Sequence, residues 1–203
     1  MKSSSERYQQ KMLNKKRIID ERIARASDQR GVLILLKGNG KGKSSSAFGT
    51  MARALGHGQR AAVIQFIKGT IDTGEHRFFR DHPHVDFHVM GHGFSWETRD
   101  PKREAEAAQN AWAVACRYLQ PANDSDAVQL VVLDELSYML KYGYLAAEHV
   151  ADVLAARPPQ LNVIVTGRTM ALPLQRIADT ISVIHDERHA FRHGVKAQPG
   201  IEY

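Results

Sequence analysis

Beyond residue 30 the hydrophobic positions of this chain fall into two alternating rhythms. Short runs rich in Val, Ile and Leu at residues 32–36, 61–66, 85–89, 128–133, 162–166 and 180–184 predict β-strands. Between them, stretches with helical spacing predict helices near residues 44–55, 101–119, 145–156 and 171–178. Several of the strands are almost unbroken apolar runs, the pattern of strands covered on both faces. Such alternation specifies a three-layer α/β domain with a mostly parallel sheet, whose ligands bind beyond the carboxyl ends of the strands. The linker-like stretch 68–83 and the loop 91–99 are rich in glycine and polar residues and follow strands, so both are expected on the substrate side.

The first thirty residues follow a different pattern. Tyr8, Met12, Ile19, Ile23 and Ala26 recur at steps of three, four and seven, which draws a thin apolar stripe along a polar helix. Such a helix must dock on its own body, a twin subunit or a substrate. The expected organisation is an N-terminal amphipathic basic arm (1–30) followed by one α/β domain (31–203).

Charge sharpens this division. The net charge is +6, and residues 1–30 hold nine Lys or Arg against four acids, so +5 of it lies in the arm and the body is nearly neutral. A basic patch confined to one terminal segment argues against nucleic-acid binding, which favours a charged stripe across a domain. No apolar run reaches eighteen residues and no signal-peptide pattern opens the chain, so a soluble cytoplasmic protein with no membrane contact is expected. The one cysteine, Cys116, excludes an internal disulfide and falls among Trp112, Val114 and Leu119 in a predicted helix, as a packed thiol does.

The strongest chemical signal is Lys-Gly-Asn-Gly-Lys-Gly-Lys-Ser-Ser at residues 37–45, between the first strand and a small-residue helix. This is the context of a phosphate-binding P-loop, as in RecA-like NTPases. Gly38, Gly40 and Gly42 allow backbone conformations closed to residues with a Cβ, so that N–H groups turn inward on an anion. The following helix aims its free amides and dipole at the same charge. Asn39, Lys41 and Ser45 complete the cradle. Lys43 reaches the phosphates, and Ser44 offers a hydroxyl to Mg²⁺ or Mn²⁺. The consensus first glycine is replaced by Lys37. A flexible solvated loop is the plainer alternative, and the flanking strand and helix speak against it.

A second element, Val-Val-Leu-Asp-Glu-Leu (131–136), ends an apolar strand in Asp134 and Glu135. Carboxylates at the ligand edge of the sheet can hold the metal opposite Ser44, or simply cap the next helix. Arg168, at a third strand end, is either a further cation near the phosphates or a solvated surface residue. In the loop 91–99, Phe94 and Trp96 stand one residue apart beside two glycines, as an apolar wall for a large planar ligand or as a local hydrophobic anchor.

Taken together, the chain resembles the P-loop-type ATP:corrinoid adenosyltransferases. The resemblance rests on Gly-Asn-Gly-Lys-Gly-Lys-Ser-Ser (38–45), Ala-Leu-Gly-His-Gly (54–58), Val-Ile-Gln-Phe-Ile-Lys-Gly (63–69), Gly-Phe-Ser-Trp-Glu-Thr (93–98), Val-Val-Leu-Asp-Glu-Leu-Ser-Tyr (131–138), Thr-Gly-Arg (166–168) and the final ten residues, 194–203. It implies transfer of the 5′-deoxyadenosyl group of ATP to the Co(I) of a corrinoid, with release of triphosphate, in adenosylcobalamin biosynthesis and salvage. It also implies that Lys43 serves catalysis, that Phe94 and Trp96 strip the axial cobalt ligand to ease reduction, that a reduced flavin or flavodoxin donates the electron, and that the enzyme is a homodimer. The family binds ATP in an unusual orientation, so no single phosphate is assigned to Lys43 or Lys41.

Two competing signals remain. Asp86, His88 and Gly91 fit an Asp-x-His-x-x-Gly pattern by which other B12 proteins ligate cobalt, but the adjacent glycines that accompany it are missing and His88 alternates with Phe87 and Val89 in a strand. The pattern reads as accidental. His82, His84, His92, His185, His189 and His193 form no zinc pattern and read as surface or loop residues. From a different functional class, a nucleic-acid-dependent RecA-like ATPase would use the same P-loop and Asp-Glu strand end.

Overall fold

A computed structural model describes residues 4–67, 72–90, 101–123 and 127–202. The chain divides into two compact units, Met1–Arg30 and Gly31–Tyr203. The first is a single helix, α1 (Ser4–Arg25), with no buried residue. Its apolar side chains, among them Tyr8, Met12, Leu13, Ile19 and Ile23, are all exposed. The Arg17–Glu21 contact of 3.5 Å lies in solvent, where an i,i+4 pair contributes only a few tenths of a kcal/mol, about 0.3–0.5.

The second unit is built on strands β1 (Leu33–Lys37), β2 (Ala61–Gln65), β3 (Val85–Val89), β4 (Leu130–Asp134), β5 (Asn162–Gly167) and β6 (Thr180–Val183). They form one six-stranded sheet in the order β3-β2-β4-β5-β1-β6, with every neighbouring pair parallel. All strands therefore point their carboxyl ends to one edge. The parallel register sets Gln65 beside Asp134 and Leu36 beside Thr166 at that edge.

The helices are α2 (Lys43–Gly56), α3 (Gly74–Phe79), α4 (Pro101–Leu119), α5 (Leu136–Lys141), α6 (Ala147–Ala155) and α7 (Leu172–Ile177), followed by a 3₁₀ turn, Ala190–His193. The alternating residues of each apolar strand feed two separate cores. Val131 and Leu133 pack under α4, α5, α6 and α7, whereas Leu130 and Val132 pack under α2 and α3. This is the physical content of three layers. In the second core Phe48 of α2 stacks between Phe79 and Phe87, with ring centroids 6.2 and 6.0 Å apart. That row of rings ties the helix after the P-loop to α3.

The predicted strands and helices form within two residues of their expected bounds, the largest shifts being the starts of β4, at Leu130, and of α6, at Ala147. Two short helices and the 3₁₀ turn were not predicted. Each has six residues or fewer, too short to show a helical repeat in the sequence. The segment expected as a loop at 68–83 thus contains α3, started by Thr73, whose side chain accepts the His76 N–H at 3.3 Å.

Candidate active site

The loop between β1 and α2 is sewn to the neighbouring strand ends. Gly38 N–H donates to the Arg168 carbonyl at 3.1 Å, and Gly40 N–H donates to the Ile184 carbonyl at 2.8 Å. Gly38 has φ 120°, and a Cβ on it would run into the Ile184 carbonyl, so both conformation and space demand glycine. Gly42, with φ 114°, then turns the chain into α2 and offers no side chain to cap it. The first amides of α2 are left to bind something else.

Lys43 opens α2 with only 9% of its surface exposed, and its Nζ donates to the Gly40 carbonyl at 2.7 Å. Burial holds its pKa below the usual lysine value; the nearby Glu135 and Asp134 carboxylates oppose this, and the Arg168 and Lys41 cations reinforce it. A lysine under that pressure is stabilised by any anion that enters.

Asp134 is wholly buried at the end of β4 and saturated by protein donors. Its Oδ1 accepts from Ser44 Oγ at 2.8 Å and from Thr166 Oγ1 at 2.7 Å, and its Oδ2 accepts from Gln65 Nε2 at 3.0 Å. Glu135, the next residue, has φ 61° and ψ 23° and is the non-glycine residue with positive φ among the described residues. Its N–H donates to Thr166 Oγ1 at 3.0 Å, which pins this costly left-handed turn. The kink separates two adjacent carboxylates that the sequence left unranked. Glu135 lines the cleft, and Asp134 lies behind it.

The cleft encloses about 650 Å³, the size range of small-molecule sites. Asn39, Gly40, Lys41, Gly42, Lys43, Ser44 and Ser45 form its P-loop wall, joined by Glu135, Tyr138 and Arg168 from the ends of β4 and β5. Burial raises the Tyr138 pKa, so its hydroxyl stays protonated well into the alkaline range. Gly38 shapes the loop from outside the lining. Phe94 and Trp96 lie outside the described residues.

The stretch 68–83, expected on the substrate side, supplies Gly74, Glu75, Phe78 and Phe79 of α3 to the lining, although these residues were not singled out in the sequence; His189, Ile201 and Glu202, from the chain after β6, were not expected there. Glu202 pairs with Lys41 at 2.5 Å. The signal was available: every segment that follows a strand of a parallel sheet emerges on the ligand side. His88 bonds through Nε2 to the Tyr118 hydroxyl at 2.7 Å, and burial lowers its pKa.

The donors suit a hard cation. Ser44 gives its single hydrogen to Asp134, which leaves its oxygen lone pairs for a metal, and Glu135 supplies a carboxylate in the same cleft. No group of three or more His, Cys, Asp or Glu gathers at a metal-binding distance among the described residues.

Among the described residues no helix is long and apolar enough to cross a membrane. Comparison with known proteins agrees with the geometry. The family model described as ATP:corrinoid adenosyltransferase BtuR/CobO/CobP matches residues 29–203. A corrinoid adenosyltransferase of Pseudomonas aeruginosa is 50% identical over 98% of this chain and 96% of its own length. Those of Escherichia coli K12 and Salmonella typhimurium are 44% and 45% identical, each over 98% of this chain and 100% of their own length. A P-loop cleft at the carboxyl edge of a parallel sheet, and similarity along nearly the whole chain, place this protein in the ATP:corrinoid adenosyltransferase family.

Proposed function

We propose that the cleft holds ATP by its triphosphate and leaves the 5′-carbon of the sugar facing a reduced corrinoid. The supporting observation is the convergence of Lys43, the free amides of α2 and the cations Lys41 and Arg168 on one cleft. In the transfer, Co(I) donates an electron pair to the 5′-carbon and a cobalt–carbon bond forms. The bond from that carbon to the α-phosphate oxygen breaks, and its pair leaves with triphosphate. No proton moves at the reacting carbon, so no side-chain base or nucleophile is required. The protein's task is to stabilise charge on the departing oxygen, which Lys43 and the preorganised amides do.

Ser44 and Glu135 would hold Mg²⁺ or Mn²⁺, and a cation bound there would offset charge on the phosphates. Asp134 acts as a positioning residue that keeps the Ser44 hydroxyl oriented. Phe94 and Trp96, which follow β3 in the sequence, would exclude water and the axial ligand from cobalt, which eases reduction of Co(II). The electron would come from a reduced flavin, free or carried by flavodoxin. The basic α1 unit suits attraction of an acidic donor protein, and its exposed apolar side chains suit burial in a homodimer. A cytoplasmic setting accords with this chemistry.

Incubation of the protein with ATP and prereduced corrinoid tests the proposal. It predicts a light-sensitive organocobalt product and triphosphate. Release of orthophosphate stimulated by DNA would instead reveal a RecA-like ATPase.

A further inference from the structure

We propose that His189 is a polyphosphate-binding residue, its Nε2–H donating to the phosphates of ATP from the cleft wall formed after β6. The proposal rests on the binding of ATP in this cleft. His189 precedes the Ala190–His193 turn, and its Nδ1 accepts the Phe191 N–H at 3.2 Å. A ring nitrogen that accepts carries no proton, so the neutral imidazole is fixed as the tautomer with hydrogen on Nε2.

The turn that carries the ring is itself braced. Arg192 pairs with the Asp186 carboxylate at 2.8 Å, and Gly194, in the left-handed region at φ 80°, closes the turn by donating to the Phe191 carbonyl at 3.1 Å. His189 therefore presents a donor whose tautomer and backbone are both set before any ligand arrives.

What that donor meets follows from its neighbours. His189 lines the same cleft as the P-loop residues, Lys43 and Arg168, and no hydrogen bond of its Nε2 is found among the described residues. Carboxylates also line the cleft: Glu202 is paired with Lys41 at 2.5 Å, and Glu75 and Glu135 belong to its α3 and β4 walls, which leaves Lys43, Arg168 and the P-loop amides as the positive side of the site. A preset donor among cations and free amides suits an extended polyanion, and it stabilises charge without having to reorganise as charge grows on the leaving group.

The two ring nitrogens can be tested separately. Asn at this position reproduces the Nδ1 acceptor and lacks the distal donor, whereas Gln places an amide N–H near the position of Nε2 and lacks the cap. Binding of ATP and of tripolyphosphate to the full-length parent, His189→Asn and His189→Gln is measured by calorimetry, with thermal melting alongside. The expected result is that tripolyphosphate competes with ATP on the parent. His189→Asn then weakens both ligands about tenfold with an unchanged melting temperature, and His189→Gln stays within about threefold of the parent. The reverse ranking, equal losses in both variants, or parent-like affinity in His189→Asn would overturn the assignment. If tripolyphosphate fails to compete with ATP on the parent, the phosphate reading of the cleft itself is wrong, whatever the variants do.

Discussion

Ser44 and Asp134, ninety positions apart in the chain, meet at 2.8 Å where the P-loop helix begins and β4 ends. The bond uses the only hydrogen of the hydroxyl and one lobe of a carboxylate that also satisfies Thr166 and Gln65. Removing the carboxylate strands two buried donors, Thr166 and Gln65, and the half-buried Ser44 hydroxyl. Asp134→Ala should therefore lower stability by about 3 kcal/mol, read as a shift in denaturant midpoint with the slope unchanged.

Glu135 behaves in the opposite way. Its left-handed backbone costs a residue with a Cβ about 1 kcal/mol, and its side chain faces the cleft. Glu135→Gly should keep or raise stability while cutting the metal-dependent rate tenfold or more. Paired melting and rate measurements against Mg²⁺ concentration check this, and an unchanged metal dependence would remove Glu135 from the metal site.

Lys43 is held below the ordinary lysine pKa by burial, and a bound polyanion would raise it. Binding thus favours the protonated amine. ATP affinity should fall as pH rises through the depressed value of the free protein, with proton uptake on binding in that window. Calorimetry in buffers of different ionisation enthalpy measures the uptake. Lys43→Ala should lose most ATP affinity and the alkaline decline together.

Trp96→Ala, and likewise Phe94→Ala, should spare ATP binding and strongly reduce activity from a Co(II) corrinoid, with a smaller effect on prereduced Co(I). Spectroscopic comparison of the two starting states decides it. Equal losses from both would show that Phe94 and Trp96 do not act through reduction.

Much of this site could be read from residues alone, because its elements obey local rules. A glycine-rich turn between an apolar strand and a small-residue helix has few other uses, and the nearly continuous apolar strands announced a sheet buried on both faces. What sequence concealed was tertiary. The placement of Glu135 in the cleft and Asp134 behind it arises from one left-handed residue whose amide is held by Thr166, thirty-one positions away. The α3 wall is a six-residue helix with too little length to show a period, and its place beside the P-loop depends on Phe79 stacking on Phe48. His189 is one histidine among ten, distinguished only by the fold that returns it to the cleft.

The most direct test of the account is the stoichiometry of a single turnover with ATP and a Co(I) corrinoid. One adenosylated corrinoid and one intact triphosphate per ATP consumed is the predicted outcome. ADP or orthophosphate as the primary product, with no cobalt–carbon bond formed, would contradict it.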